Sequence, residues 1–192
     1  WQSDPVTVTA TGADSASGLA ALVYALDGGA DSAITEPITV TGAGTHELLL
    51  RATDAAGNTS STTTTLRIDA SPPTTTVTGA PASEWTNGDV TLALAAEDAG
   101  SGVDQTSWTL NGVTTVGSSI QLTGEGTHTV TFRSMDNAGN MEPDQNLTVR
   151  IDTTAPTIGH DAPDAAAWQS DPVTVTATGA DSASGLAALV YA

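Results

Sequence analysis

The sequence predicts an all-β chain: β-sandwich units of about seven short strands each, strung end to end. Three observations predict it. Apolar residues alternate with Thr in short runs at regular spacing, and Gly, Asp and Asn turn residues separate the runs. No stretch carries a helical period. The chain also repeats itself, because residues 168–192 are identical to residues 1–25 and a diverged copy lies between them.

The strand signals run in order. Val6, Val8 and Ala10 alternate with Thr, as do Val90, Leu92 and Leu94, so each run has one apolar face. The stretches ALVYALDGG and TSWTLNGV end in Asp27-Gly28 and Asn111-Gly112, dipeptides suited to the positive φ values of a type I′ hairpin turn. Ile38 and Val40, or Ile120 and Leu122, mark the next strand. Leu48, Leu50 and Ala52 then share a face with His46, while Val130, Phe132 and Ser134 share one with His128. Leu66 and Ile68, or Val149 and Ile151, close the unit, and TTTVT at 74–78 opens the next.

Alignment of the copies sets the domain plan. Trp1 matches Trp85 and Trp168, Asp14 matches Asp98, and Ser17-Gly18 matches Ser101-Gly102. GTH at 44–46 returns at 126–128, AGN at 56–58 returns at 138–140, and LRIDASPP at 66–73 returns as VRIDTTAP at 149–156. The expected units are 1–72, without its first strand, 73–155, complete, and 156–192, the opening part of a third. Such a pattern is expected of a piece of a longer array.

Composition excludes several functions. There are 22 acidic residues against 4 basic ones, all Arg, for a net charge of −18. Nucleic-acid binding needs clustered cations, so it is not expected. No apolar run reaches the roughly 18 residues of a membrane helix, so no membrane insertion is expected. The chain has no Cys and no Lys, which excludes disulfides, thiolate metal sites and Lys–Asn isopeptide cross-links. No nucleophile elbow, HExxH or phosphate loop is present, and the carboxylates are scattered through loops. The chain is therefore not expected to be an enzyme.

The pattern W-x-x-x-x-V-T, D-x-x-SG, Y/W-x-L-D/N-G, G-T-H and D-x-A-G-N resembles the immunoglobulin-like repeats of prokaryotic extracellular proteins. Those modules occur in tandem in surface proteins and as accessory modules of secreted hydrolases. The resemblance spans essentially the whole chain. It implies tandem immunoglobulin-like β-sandwiches and an extracellular, cell-surface location.

Candidate site residues come mostly from the acidic loops. The tracts Asp54–Asn58 and Asp136–Asn140 suit a turn in which Asp accepts backbone hydrogen bonds, and they suit a cation site if several oxygens converge. In such a sandwich the loops after the second and sixth strands share one end. That brings Asp14 near Asp54, and Asp98 and Asp104 near Asp136. The last strand ends at the next unit, so Asp69 should approach Asp98 and Asp136, and Asp152 should approach Asp181. Asp69, Asp98, Asp104, Asp136, Asp152 and Asp181 are thus candidate ligands for interdomain Ca²⁺, the one cofactor considered. Asn58 and Asn146 stand in glycosylation sequons. Trp1, Trp85 and Trp168, before the second strand, suit a plug over the sandwich end, and exposed they would suit stacking on sugars. Tyr24, Trp108 and Tyr191 share a strand position expected to form a core aromatic layer. His46 and His128 are expected to make side-chain-to-backbone corner bonds, and His160 is given no role.

The expected function is a structural repeat of a long extracellular cell-surface stalk or adhesin-like fibre, acting as a spacer. An alternative is the subunit of a self-assembling filament that uses strand addition or lateral contacts. A third is a carbohydrate-binding accessory module. Expected partners are neighbouring repeats of the same chain and, for the filament, copies of itself.

Overall fold

The computed structural model describes residues 1–163 and 168–190. The chain is all-β, and no helix occurs among the described residues. No helix there is long and apolar enough to cross a membrane. The strands are β1 (Val6–Val8), β2 (Leu19–Leu26), β3 (Ser32–Ala33), β4 (Ile38–Val40), β5 (Gly44–Asp54), β6 (Thr59–Ile68), β7 (Thr74–Thr78) and β8 (Trp85–Thr86). They continue as β9 (Val90–Glu97), β10 (Val103–Leu110), β11 (Val113–Val116), β12 (Ser119–Leu122), β13 (Gly126–Asp136), β14 (Gln145–Ile151), β15 (Thr157–His160) and β16 (Ala177–Ala180). Packing divides the chain into two compact units. One holds residues 1–76, 95–107 and 132–144; the other holds 77–94, 108–131 and 145–192.

In the first unit, β3-β2-β5-β6 form one sheet and β1-β4 a second. Val6 faces Val40 and Val8 faces Ile38 across the short sheet, while Leu26 faces Leu48 and Tyr24 faces Leu50 across the long one. Both sheets turn their apolar positions to one cluster: Ile38, Val40, Leu48 and Ile68, covered by Val6, Val8, Tyr24, Leu26, Leu50 and Leu66. Full burial of a Leu such as Leu48 stabilises by about 1.5–3 kcal/mol, so this small cluster carries much of the local stability. The Thr-rich stretch of β6 from Thr59 to Thr65 stays exposed on both faces.

Residues 74–151 form two further sheets, β12-β9-β7 and β11-β10-β13-β14-β8. The period of two is visible in burial. Val90, Leu92 and Leu94 on β9, Ile120 and Leu122 on β12, Val130 and Phe132 on β13, and Val149 and Ile151 on β14 are all buried. Their neighbours in sequence point outward or lie half-buried. Beyond the seven strands expected here, the structure adds β8. Trp85 and Thr86 run parallel to Arg150 and Ile151 on β14, and Gln2 makes the same kind of parallel bridge to Ile68. The Trp therefore opens a two-residue edge strand, held by the main chain of the last strand, where the sequence placed a loop. β15 and β16 form a separate antiparallel pair.

The predicted hairpins hold. Asp27 and Gly28 have φ values of 51° and 72°, and Asn111 and Gly112 have 52° and 78°, both residues of each pair in the left-handed region that a type I′ turn needs. Tyr24 packs against the core cluster and Trp108 is half-buried. The Trp108 Nε1–H is enclosed without an acceptor, and Tyr191 lies outside the described residues.

His46 makes the corner bond expected of it, to the Gly42 carbonyl at 3.1 Å, and adds a contact of 2.8 Å to the Asp27 carboxylate. His128 bonds the Gly124 carbonyl at 2.9 Å, but Asn111 stands where the first copy has Asp27. The Asp27 hydrogen bond, and then the Gly42 carbonyl, raise the His46 pKa above its ordinary value. A raised histidine stabilises the fold below its unfolded pKa of about 6.5, and that contribution is lost as pH rises through the folded pKa. Melting curves should therefore show His46→Gln less stable than wild type near about pH 6, with the gap closing by about pH 8. A gap independent of pH would mean that the imidazole acts here by shape alone.

Candidate functional site

The residues that gather chemistry lie at the boundary between sequence copies. β6 ends at Ile68, and the Asp69 N–H donates to the Gln2 carbonyl at 2.8 Å. That bond fixes Asp69 just beyond the strand, with its side chain only 2% exposed. One Asp69 oxygen accepts the Ser71 N–H at 3.1 Å, and the other accepts the Ser101 N–H at 2.6 Å. Ser101 belongs to the next copy. Its loop is shaped by Asp98, whose carboxylate accepts the Gly100 and Gly102 N–H groups at 3.0 and 2.7 Å. Gly100 has no alternative, because a Cβ there would overlap the Asp69 carboxylate.

Asp136, 1% exposed, completes the group from the end of β13. Its carboxylate accepts the Ala138 and Asn140 N–H groups at 2.9 and 2.8 Å and the Asn140 side-chain amide at 2.7 Å. Gly139, with a φ of 93°, turns the chain so that these donors face inward. The same Asn140 amide donates to the Asp69 carbonyl at 2.6 Å, tying the two copies a second time.

One oxygen each from Asp69, Asp98 and Asp136 falls within 4.8 Å of the others. Three carboxylates so close repel by at least about 3 kcal/mol per pair at an effective dielectric of about 20. Against that stand the seven N–H donors named above, each worth about 1.5–3 kcal/mol to a charged acceptor. The two sums are comparable, so the donors hold the group together and a divalent cation would add to them. Burial pushes the Asp69 carboxyl upward, but the Ser101 backbone and hydroxyl, the Ser71 N–H and Asp136 outweigh it and leave the pKa below its ordinary value. Asp69 therefore stabilises the fold above the unfolded Asp value, and the contribution is lost as pH falls through the folded pKa.

The next copy boundary repeats the first contact. The Asp152 N–H donates to the Thr86 carbonyl at 2.8 Å, and its carboxylate accepts the Thr154 N–H at 3.1 Å and the Ser184 N–H at 2.9 Å. The Ser184 side chain and backbone lower the Asp152 pKa. Asp181 accepts the Ala183 and Gly185 N–H groups of its own loop. Of the six expected ligands, then, Asp69, Asp98 and Asp136 converge. Asp152 meets the loop that Asp181 shapes. Asp104 stands apart, exposed on β10, outside the acidic group. Asp14 and Asp54 line one small groove together with Asn58.

The other candidates fall as follows. Asn58 and Asn146 are exposed, but the Asn58 amide donates to Asp54 at 2.8 Å and the Asn146 oxygen accepts the Thr131 hydroxyl at 2.6 Å. Trp1, 41% exposed, lines an open groove with Ile68, Pro72, Glu97 and Asp98, while Trp168 is fully exposed.

One buried group was not among the expected site residues. Glu142, 5% exposed, accepts the Thr75 N–H at 3.1 Å, the Thr75 hydroxyl and the Ser134 N–H at 2.7 Å. The Ser134 hydroxyl lies 2.6 Å from that of Thr75 and 2.9 Å from that of Thr106. A buried carboxylate so surrounded is satisfied, and it clamps β7 to the end of β13. Its only sequence signal is the substitution of Glu142 for Ser60 after the AGN tract.

No protein-family model matches the chain, and no curated protein matches it in sequence. Among solved structures it is similar to the fibronectin(III)-like modules of Clostridium thermocellum CbhA, at 14% identity and a TM-score of 0.40, over 78% of this chain and 86% of that one. It is also similar to SGBP-B of the Bacteroides ovatus mixed-linkage glucan utilization locus, solved in complex with mixed-linkage heptasaccharide. That likeness has 13% identity and a TM-score of 0.23, over 88% of this chain and 76% of that one. Neither likeness assigns a family.

Proposed function

We propose that this chain is a non-catalytic spacer: immunoglobulin-like β-sandwich copies (1–72, 73–155 and 156–192) in a long extracellular, cell-surface stalk or adhesin-like fibre. The observation that carries it is the contact made at both copy boundaries. Asp69 binds the Ser101 N–H, and Asp152 binds the Ser184 N–H. A chain of independently tumbling beads has no use for a buried carboxylate shared between one copy's last strand and the next copy's loop. A spacer that must transmit length has. Pro72, Pro73 and Pro156 further restrict the connecting backbone, and the net charge of −18 keeps neighbouring stalks apart. Ca²⁺ at Asp69, Asp98 and Asp136 belongs to the same proposal, as an added brace on a junction already held by N–H donors.

Sedimentation velocity in the dilute limit, with Ca²⁺ and with EDTA, tests this. Wild type is expected to sediment as an extended monomer, and Asp69→Ala with Asp152→Ala as a more flexible particle. A frictional ratio unchanged by the double substitution would overturn the spacer. A melting temperature that is the same in Ca²⁺ and EDTA would remove the ion and leave the hydrogen-bonded junction. The filament alternative has one observation in its favour, an open strand-sized groove beside Ala10–Ala13.

A further inference from the structure

Ala10–Ala13 and Ala177–Ala180 are the same tetrapeptide, Ala-Thr-Gly-Ala, inside the identical stretches 1–25 and 168–192. At the second occurrence the chain shows what pairs with it. β15 lies antiparallel to β16, with Thr157 opposite Ala180, Ile158 opposite Gly179, Gly159 opposite Thr178 and His160 opposite Ala177. The Thr157 hydroxyl donates to the Ala180 carbonyl at 3.2 Å, and the Thr176 N–H donates to the Asp161 carboxylate at 2.5 Å.

At the first occurrence no strand of the described residues pairs with the tetrapeptide. Ala10–Ala13 instead borders an open groove whose floor includes Leu22, Leu50 and Ala52, with Ser60 at its side. The middle copy shows what such a groove accepts. There the matching positions are Thr106, Ser134 and Glu142, and they enclose Thr75, the second residue of β7, which is 3% exposed. The second residue of β15 is Ile158. It is 71% exposed, and its apolar side chain suits the apolar floor of the first copy as Thr75 suits the polar one.

We propose that Ala10–Ala13 is an acceptor edge for residues 157–160 of a second copy of this chain. The register follows from the identical tetrapeptide: Thr157 opposite Ala13, Ile158 opposite Gly12, Gly159 opposite Thr11 and His160 opposite Ala10. Main-chain hydrogen bonds lost from β16 are replaced one for one on the new edge, and the net gain is burial of Ile158 against Leu22 and Leu50. Donor and acceptor lie on different parts of the chain, so the association is head to tail and extends beyond a pair. It goes beyond the spacer proposal and does not depend on the Asp69 junction.

The absence of Cys makes the register directly testable. Ala13→Cys and Thr157→Cys, made on separate chains and mixed under mild oxidation, are expected to give the mixed disulfide about tenfold over either symmetric one. Adding Ile158→Asp to the Thr157→Cys chain is expected to abolish that excess. Because Ile158 is exposed, this variant keeps its fold, which its melting curve verifies. In parallel, the weight-average mass of the unmodified 192-residue chain is expected to grow with concentration. Disulfides in statistical proportion, or a monomer up to about 1 mM, would overturn the proposal.

Discussion

Glu142→Ala is expected to destabilise the fold by about 3–5 kcal/mol and to lower the melting temperature by about 10 °C or more. The carboxylate accepts two backbone N–H groups, from Thr75 and Ser134, that lie where water does not reach. Truncation strands both donors and the Thr75 hydroxyl, and it leaves a cavity the size of the lost side chain. Glu142→Gln separates these causes. It keeps the volume and one carbonyl oxygen but turns an amide NH₂ toward a donor, so it is expected to recover only part of the loss. A melting temperature within a degree or two of wild type for the alanine variant would mean that β7 is held by its pairing with β9 alone.

Gly100→Ala is expected to be nearly as severe, at about 2–4 kcal/mol, although it adds a single methyl group. The new Cβ would overlap Cγ and both oxygens of Asp69. Asp69 has nowhere to retreat, since its oxygens are fixed by Ser71 and Ser101 and its main chain by Gln2 and Asn140. The loop must therefore move away and release the Ser101 contact. Gly88 offers the control: it has open space around its missing Cβ, so Gly88→Ala should leave chemical denaturation almost unchanged. Equal midpoints for the two variants would mean that the boundary contact contributes nothing to stability.

Much of this was legible in the sequence because it is encoded locally. Alternation of Val, Leu and Ile with Thr gave the strands, and Asp-Gly and Asn-Gly gave the hairpins. The Asp-x-Ala-Gly-Asn tract announced a side chain folded back on its own backbone. Asp69 beside Asp98 and Asp136 was also foreseeable, since copy order brings a last strand to the next copy's loops. What escaped depends on contacts distant in sequence. β8 is two residues long and exists only because β14 offers a parallel edge. Glu142 sits in a stretch, Met-Glu-Pro-Asp, that looks like a charged surface turn; its burial is decided by Thr75, 67 positions away. Asp104 was grouped with the junction carboxylates by proximity in sequence, but the alternation of β10 turns it outward while Val103 is half-buried.

The division of labour between Asp69 and Ser101 also bears on heredity. Each copy carries the acceptor for its successor at one end and the donor for its predecessor near the other, and Asp152 and Ser184 repeat the arrangement. Excision of residues 70–152 would set Asp69 in front of Thr153-Thr154, facing Ser184, with the same groups in the same order. Gain or loss of a whole copy by recombination between the repeats therefore leaves every boundary chemically complete. The gene can lengthen or shorten its product in steps of one copy without first having to invent a new joint.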